Sequence, residues 1–165
     1  MPRKVREIGA GLLGESAISV RSRLDTSPKT LCHGDFRLDN IFFLDSADRG
    51  TSEIAVIDWS GLRSGPGLWD ISHMVCQGLE PDLRRSCEAD FLSAYCQTLA
   101  ENGVSDYSTD QAWGDYRLSM LTHLQKLARG FASFDLVNDR HRKLREVLNR
   151  RVISAVADHC SPAMI

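Results

Sequence analysis

HGDFRLDN occupies residues 33–40 of the chain, and IDW follows at residues 57–59. Asn40 stands five positions after Asp35, and Asp58 ends a run rich in β-branched residues. Asp35 supplies a carboxylate that can accept a proton, while an amide oxygen and a second carboxylate are donors that suit a hard cation such as Mg²⁺. A base and two magnesium ligands are the groups that phosphoryl transfer from a nucleotide requires.

Two predicted strands hold these groups together. Residues 41–44 form a short apolar run that predicts a buried strand, and residues 53–59 predict the returning strand. Residues 46–52 between them predict a solvated turn. In such a hairpin Asn40 begins one strand and Asp58 ends the other, so both lie at the same end, which supports a shared metal.

The three-part motif resembles that of the aminoglycoside phosphotransferase and choline kinase-like family, which has a protein kinase-like fold. HGD with Asn40 resembles the family's catalytic loop H-G-D-x-x-x-x-N, and residues 57–59 resemble its metal-binding I-D-[FW]. Residues 65–71, GPGLWDI, resemble the G-x-x-x-x-D-[LI] segment beyond it. The resemblance implies a cytoplasmic, ATP- and Mg²⁺-dependent phosphotransferase that acts on a hydroxyl group of a small molecule.

The resemblance also implies roles for single residues. Asp35 is the expected catalytic base, and His33 is expected to support it by fixing its orientation. The expected ligands of the metal and the nucleotide are Asn40 and Asp58. Structural support is expected from three further residues: Arg37, Asp39 and Asp70. For Asp70, a role as a helix N-cap explains the residue nearly as well.

The predicted fold class is α+β and mostly helical, matching the C-terminal lobe of a kinase-like fold over residues 1–165. Within it we predict an N-terminal helical segment (1–29), a hairpin with the catalytic and metal loops (30–67) and a helical body (68–165). Only 32 residues precede His33, and they contain no G-x-G-x-x-G phosphate loop. We therefore expect the N-terminal ATP-binding lobe to be absent from this chain, and a missing lobe to be one of its partners.

Local signals set further boundaries. They predict a helix over residues 3–24, a strand at Thr30–Cys32, a loop at 61–67, and helices at 70–78 and 81–102. Ser108 and Gln111 have capping-box spacing before the next helix, and one more helix follows. The helix at 81–102 is expected to turn six side chains inward: Leu83, Cys87, Phe91, Ala94, Tyr95 and Leu99.

The composition of the chain limits the kinds of partner that we expect it to bind. The chain has 165 residues, 42% of them hydrophobic, and a net charge of −2. A near-neutral charge gives no reason to expect binding to nucleic acid or a membrane surface. The five cysteines form no C-x-x-C pair, which favours free thiols in a reducing compartment.

The sequence does not select the chemical class of the substrate. Acidic residues that could hold a cationic substrate include Asp110, Asp115 and Asp135, and no pattern selects among them. A basic run from Arg140 to Arg145 is explained by a solvated helix face. Two alternatives to a kinase remain. One is a non-catalytic truncated fragment or binding module. The other is a metal-dependent phosphoesterase, for which the usual His and Asp clusters are missing.

Overall fold

The computed structural model describes residues 1–46, 51–130 and 138–165, and it confirms the mostly helical α+β class. Short 3₁₀ turns cover Leu38–Asn40, Trp59–Gly61 and Pro162–Met164, and a π-helical turn covers Met74–Gly78. The helices and strands of the described ranges are α1 (Arg3–Gly11), α2 (Glu15–Asp25), β1 (Thr30–Cys32), β2 (Ile41–Ser46), β3 (Thr51–Val56), β4 (Arg63–Gly65), α3 (Gly67–His73), α4 (Pro81–Glu101), α5 (Thr109–Gly130) and α6 (Asp139–His159).

The single helix predicted over residues 3–24 is wrong, because the chain forms α1 and α2 with a tight turn between them. In that turn the amide of Gly14 donates to the carbonyl of Gly11. The two helices bury different faces, with Ile8 of α1 directed toward α6 and Val20 of α2 directed toward α5. Glycine weakens helix continuity at this point, so the chain can turn and bury both faces.

Four short strands form two antiparallel pairs. β1 pairs with β4, and β2 pairs with β3 with Ile41 opposite Val56. The strand at Thr30–Cys32 is confirmed, whereas the loop predicted at 61–67 is wrong where β4 forms. The predicted returning strand ends at Val56 rather than at residue 59, and the tip of the predicted turn, residues 47–50, lies outside the described residues.

The prediction that residues 41–44 are buried is wrong. Phe42, Phe43 and Leu44 are 53%, 72% and 47% exposed, and only Ile41 at the start of β2 is buried. The reason is architectural: β2 and β3 pair chiefly with each other, and among the described residues no helix packs extensively on this hairpin.

The helical body contains the core. The helix predicted at 70–78 begins earlier, at Gly67, and its second half is the π-helical turn. The capping box is confirmed: the amide of Ser108 donates to Gln111 Oε1 at 2.8 Å, and the amide of Gln111 donates to Ser108 Oγ at 3.2 Å. Within the described residues, no helix is both long and apolar enough to cross a bilayer.

The predicted inward face of α4 is wrong for Leu83, Phe91 and Ala94, which are exposed, while Cys87, Tyr95 and Leu99 are half-buried. The buried residues of α4 are Arg84, Glu88 and Leu92. Arg84 Nη1 lies 2.6 Å from Glu88 Oε2, and Arg84 also pairs with Asp158 of α6. A buried charge is tolerated only when it is paired in this way. The buried positions of α4 therefore each lie one residue after a position that was predicted to face inward: Arg84 after Leu83, Glu88 after Cys87 and Leu92 after Phe91.

Candidate active site

The segment between β1 and the Leu38–Asn40 turn, residues 33–37, forms the catalytic loop of the motif. It begins with a tight bend at Gly34, whose φ of +84° is disfavoured for residues with a side chain. A Cβ atom at Gly34 would lie 2.0 Å from the carbonyl oxygen of Gly61. Glycine at this position therefore lets the catalytic loop pack directly against the segment that follows Asp58.

Asp70 holds the start of this loop from the first turn of α3. Its Oδ2 atom accepts a hydrogen bond from the amide of His33 at 2.6 Å, and its Oδ1 atom accepts one from the amide of Gly34 at 3.0 Å. Asp70 is therefore not a helix N-cap, because both of its carboxylate oxygens bind backbone amides of the loop.

His33 connects the two halves of the motif. Its Nδ1 atom accepts a hydrogen bond from the amide of Asp35 at 3.2 Å, and its Nε2 atom lies 2.8 Å from the carbonyl oxygen of Ile57. This arrangement requires the neutral tautomer with the proton on Nε2, because Nδ1 is the acceptor. The ring is 3% exposed and lies against Trp59. One buried imidazole thus fixes both the residue before Asp58 and the backbone of Asp35.

The Asp35 side chain is accessible, with 34% of its surface exposed. Arg37 Nε lies 3.1 Å from Asp35 Oδ2, and His73 Nε2 lies 4.0 Å from Asp35 Oδ1. Asp39 is 83% exposed and lies 3.8 Å from Arg37, so it contributes a weak surface ion pair. The expected base therefore faces open space while its two oxygens have different neighbours.

Asn40 is 6% exposed, and it is tied to both loops. Its side-chain Nδ2 donates to the carbonyl of Asp35 at 2.9 Å, and its own carbonyl accepts from the amide of Ile57 at 3.0 Å. Because Nδ2 is used in this way, the amide oxygen Oδ1 is the atom that a cation could bind.

Asp58 has a left-handed backbone conformation, with φ and ψ both 60°, and it is the one non-glycine residue with positive φ in the described part of the chain. Such strain is concentrated at functional positions. Hydrogen bonds from the Ser60 side chain and backbone lower the pKa of Asp58, and Ser60 Oγ lies 2.7 Å from Asp58 Oδ1. The carboxylate is exposed and ionised at neutral pH.

The backbone contacts bring Asp35, Asn40 and Asp58 to one end of the β2–β3 hairpin, as the sequence predicted. An amide oxygen and one ionised carboxylate fit Mg²⁺, which usually takes only one or two protein ligands and fills its remaining positions with phosphate and water. In the described residues there is no cluster of three or more His, Cys, Asp or Glu that could hold a metal. Closed zinc-type or two-metal sites would need such a cluster.

A stacked pair of histidines, of which His73 lies beside Asp35, was not predicted as part of the site. His73 and His123 are buried and stack with ring centroids 4.9 Å apart. Burial lowers the pKa of His73 to about 4, and it lowers the pKa of His123 well below its usual value, so both are neutral at pH 7. The signal in the sequence was the three-residue spacing of Asp70 and His73, which places both on one face of a helix.

The acidic residues considered for a cationic substrate are not gathered at the site. Both oxygens of Asp115 accept hydrogen bonds at 2.6 Å, from Ser27 and from Tyr107, so Asp115 serves the packing of α5. Asp110 is exposed in the first turn of α5, and Asp135 lies outside the described residues. The expectation for Asp115 is therefore wrong.

Comparison with known proteins gives two matches. The model of the ecdysteroid kinase-like family matches residues 7–104. An uncharacterized kinase-like protein of Caenorhabditis elegans is 26% identical over 140 residues, which cover 76% of this chain and 36% of that protein. The chain thus corresponds to little more than a third of this relative's length. No solved structure gives a significant match.

Proposed function

Because the chain belongs to the ecdysteroid kinase-like family, we propose that it is the large lobe of an ATP- and Mg²⁺-dependent kinase that phosphorylates a hydroxyl group of a small molecule. The single observation that carries this proposal is the link made by His33. This residue holds the backbone of Asp35 and the carbonyl of Ile57, so the base and the metal-binding carboxylate are positioned by one buried ring.

Asp35 accepts the proton of the acceptor hydroxyl as that oxygen attacks the terminal phosphate. Its Oδ2 lies against Arg37, and its Oδ1 faces the neutral ring of His73. In this reaction class the transition state is loose, so positioning of the hydroxyl contributes more than a strongly basic carboxylate.

Asn40 and Asp58 would hold the metal, Asn40 with its side-chain amide oxygen and Asp58 with its exposed carboxylate. When bound, Mg²⁺ neutralises negative charge on the phosphates of ATP. The left-handed backbone of Asp58 and the hydrogen bond from Ser60 fix this carboxylate before the nucleotide arrives. Such preorganisation avoids the cost of ordering the loop during binding.

The ATP-binding lobe is proposed to pack on the β2–β3 hairpin. Phe42, Phe43 and Ile54 are large apolar side chains of this hairpin, and each is more than half exposed. Exposed apolar patches of this kind mark interaction surfaces. The relative from Caenorhabditis elegans is much longer than this chain, so a second lobe of the same protein is the occupant we propose. We place the protein in the cytoplasm, in agreement with free thiols at all five cysteines.

Replacement of one carboxylate tests the proposed reaction. Phosphoryl transfer from radiolabelled ATP to a set of small alcohols is measured with the chain and its ATP-binding lobe. Asp35→Asn should lower turnover by at least a hundredfold, because it removes the base at nearly constant shape. Asp90→Asn is the matched control, since it changes an exposed carboxylate of α4 outside the site and should retain activity.

Retained turnover in Asp35→Asn would remove this residue from the reaction. A second function, a non-catalytic binding module, is favoured by the exposed hairpin, which leaves a nucleotide only part of its binding surface. Calorimetric titration of the isolated chain with Mg-ATP separates the two functions. Micromolar affinity argues for the enzyme, while no measurable binding together with no turnover in the two-lobe protein argues for the binding module.

A further inference from the structure

A cavity of about 680 Å³ lies beside the loop that contains Asp35. Gly34, which precedes Asp35, forms part of its wall, whereas Asp35, Asn40 and Asp58 do not line it. The remaining wall comes from α2, β4, α3 and α5. Its volume is in the range of small-molecule sites. A molecule bound there would sit next to the proposed base without occupying the proposed metal site.

The cavity is strongly basic. Its lining includes four cationic side chains, Arg21, Arg63, Lys126 and Arg129, against one carboxylate, the exposed Asp25. Like charges gathered in a concave wall repel one another and attract an anion. The walls therefore favour a negatively charged ligand.

These four cations differ from three arginines of the helical body that are paired with carboxylates. Arg84, Arg85 and Arg151 all form ion pairs with carboxylates. No ion pair joins the cavity cations to any carboxylate in the ranges that the structure describes. Burial lowers the pKa of Lys126; the Asp35 and Asp70 carboxylates oppose this shift, and the Arg63 and Arg37 guanidinium groups add to it. A bound anion would relieve this repulsion.

Two of the cations are held in place by an aromatic side chain. The Arg63 guanidinium lies 3.9 Å from the centre of the Trp69 ring, and Lys126 Nζ lies 5.3 Å from it. Trp69 is itself fixed, because its Nε1 donates to Thr122 Oγ1 at 3.1 Å. Cation–π contacts of this kind orient both charges. Both cations are exposed to solvent, and the Trp69 ring orders them on this wall of the cavity.

We infer that this cavity binds an anionic group, a phosphate, sulfate or carboxylate, carried by the alcohol that is phosphorylated at Asp35. The inference of an acceptor rests on the proposed function, while the binding of the anion does not. An anionic substrate replaces the expectation of a cationic substrate held by acidic residues. Arginine suits this task because its planar donors match the oxygens of phosphate and carboxylate groups.

Calorimetric titration with pyrophosphate tests the binding of the anion. It is done with the full chain at low ionic strength, with a chelator and without nucleotide, so the metal site takes no part. Arg63→Gln combined with Lys126→Gln should weaken binding at least tenfold. Arg140→Gln combined with Lys143→Gln removes the same charge from the exposed face of α6 and should change the affinity less than twofold.

Two results overturn the inference: no binding to the unaltered chain, or equal weakening in both double variants. If Arg63→Gln with Lys126→Gln does not fold, as judged by thermal unfolding, Arg21→Gln with Arg129→Gln replaces it, because these two exposed cations line the same cavity. The same tenfold loss is then expected, and unchanged affinity again refutes the site.

A competition experiment tests whether the anion belongs to an alcohol. Glucose 6-phosphate should displace pyrophosphate, and glucose should not. Failure of glucose 6-phosphate to compete would restrict the cavity to free inorganic anions and refute the acceptor. Pyrophosphate binding is measured apart from turnover, so the two readouts can differ. Normal pyrophosphate binding in a two-lobe protein without any turnover would therefore reject the proposed kinase and leave the anion site standing.

Discussion

Asp70→Asn is the substitution that the structure specifies most closely. The two carboxylate oxygens of Asp70 accept hydrogen bonds from the amides of His33 and Gly34, at 2.6 and 3.0 Å. A hydrogen bond to a charged group contributes about 1.5–3 kcal/mol. Asparagine keeps one acceptor oxygen and turns an NH₂ donor toward the other amide. We therefore expect the free energy of unfolding to fall by about 2–4 kcal/mol.

Urea unfolding measures this loss directly, and thermal unfolding provides a second readout. For a chain of this size, each kcal/mol corresponds to a decrease of about 2–4 °C in Tm. Asp39→Asn is the control, since Asp39 is 83% exposed and the change should stay within about 0.5 kcal/mol. A loss of less than about 1 kcal/mol for Asp70→Asn would refute the conclusion that Asp70 braces the catalytic loop.

Three further predictions concern packing and ionisation. Gly34→Ala should lower the free energy of unfolding in urea by at least about 2 kcal/mol, because the added Cβ meets the backbone of Gly61. Gly103→Ala, at a similar φ but with open space around it, should lower it by about 1 kcal/mol. Equal losses would contradict the close approach of Gly34 to Gly61. Glu88→Gln should cost about 3 kcal/mol, because the buried Arg84 then keeps only Asp158 as a carboxylate partner within the described ranges. The exposed control Asp90→Asn should cost almost nothing, and a loss below about 1 kcal/mol for Glu88→Gln would contradict this reasoning. Burial lowers the pKa of His73 to about 4 in the folded state, so the unfolded state binds a proton on this ring first as the pH falls. The free energy of unfolding should therefore decrease between about pH 6.5 and about pH 4, by up to about 3 kcal/mol. His73→Gln should reduce this dependence of stability on pH. An unchanged pH dependence in that variant would show that His73 does not ionise differently on unfolding.

The convergence of the motif was predictable because it depends on local structure. Asn40 and Asp58 flank the two strands of one hairpin, and antiparallel pairing brings such positions together at any twist of the sheet. The register of Ile41 with Val56 follows from the same apolar pattern. Residue types and spacing were therefore sufficient to place these two side chains at one end of the hairpin.

The contacts between helices were not predictable in this way. His73 and His123 meet because α3 packs on α5, and nothing in the sequence near either residue indicates the other. The same holds for the basic cavity, where Arg63 and Lys126 are brought together across Trp69. Such sites depend on the packing of distant segments, which periodicity alone does not determine.

Burial was mispredicted where polarity and exposure disagree. Arg84 and Glu88 are charged and buried, because each compensates the charge of the other. Phe43 is apolar and exposed, because the hairpin extends beyond the helical body. A pattern of apolar residues predicts the inner face of an element only when its charges are unpaired and a partner element is present.

Paramagnetic broadening in NMR spectra of the isolated chain tests the central claim most directly. The side-chain amide of Asn40 is a natural probe, since its Nδ2 donates to Asp35 and its Oδ1 is the proposed ligand. Titration with Mn²⁺ and ATP should broaden the signals of the Asn40 side chain and the Asp58 backbone, and Asp58→Asn should abolish the effect on Asn40. The side-chain amide of Asn102, at the far end of α4, should remain sharp. Equal broadening at Asn40 and Asn102, or unchanged broadening of Asn40 in Asp58→Asn, would contradict a shared metal site.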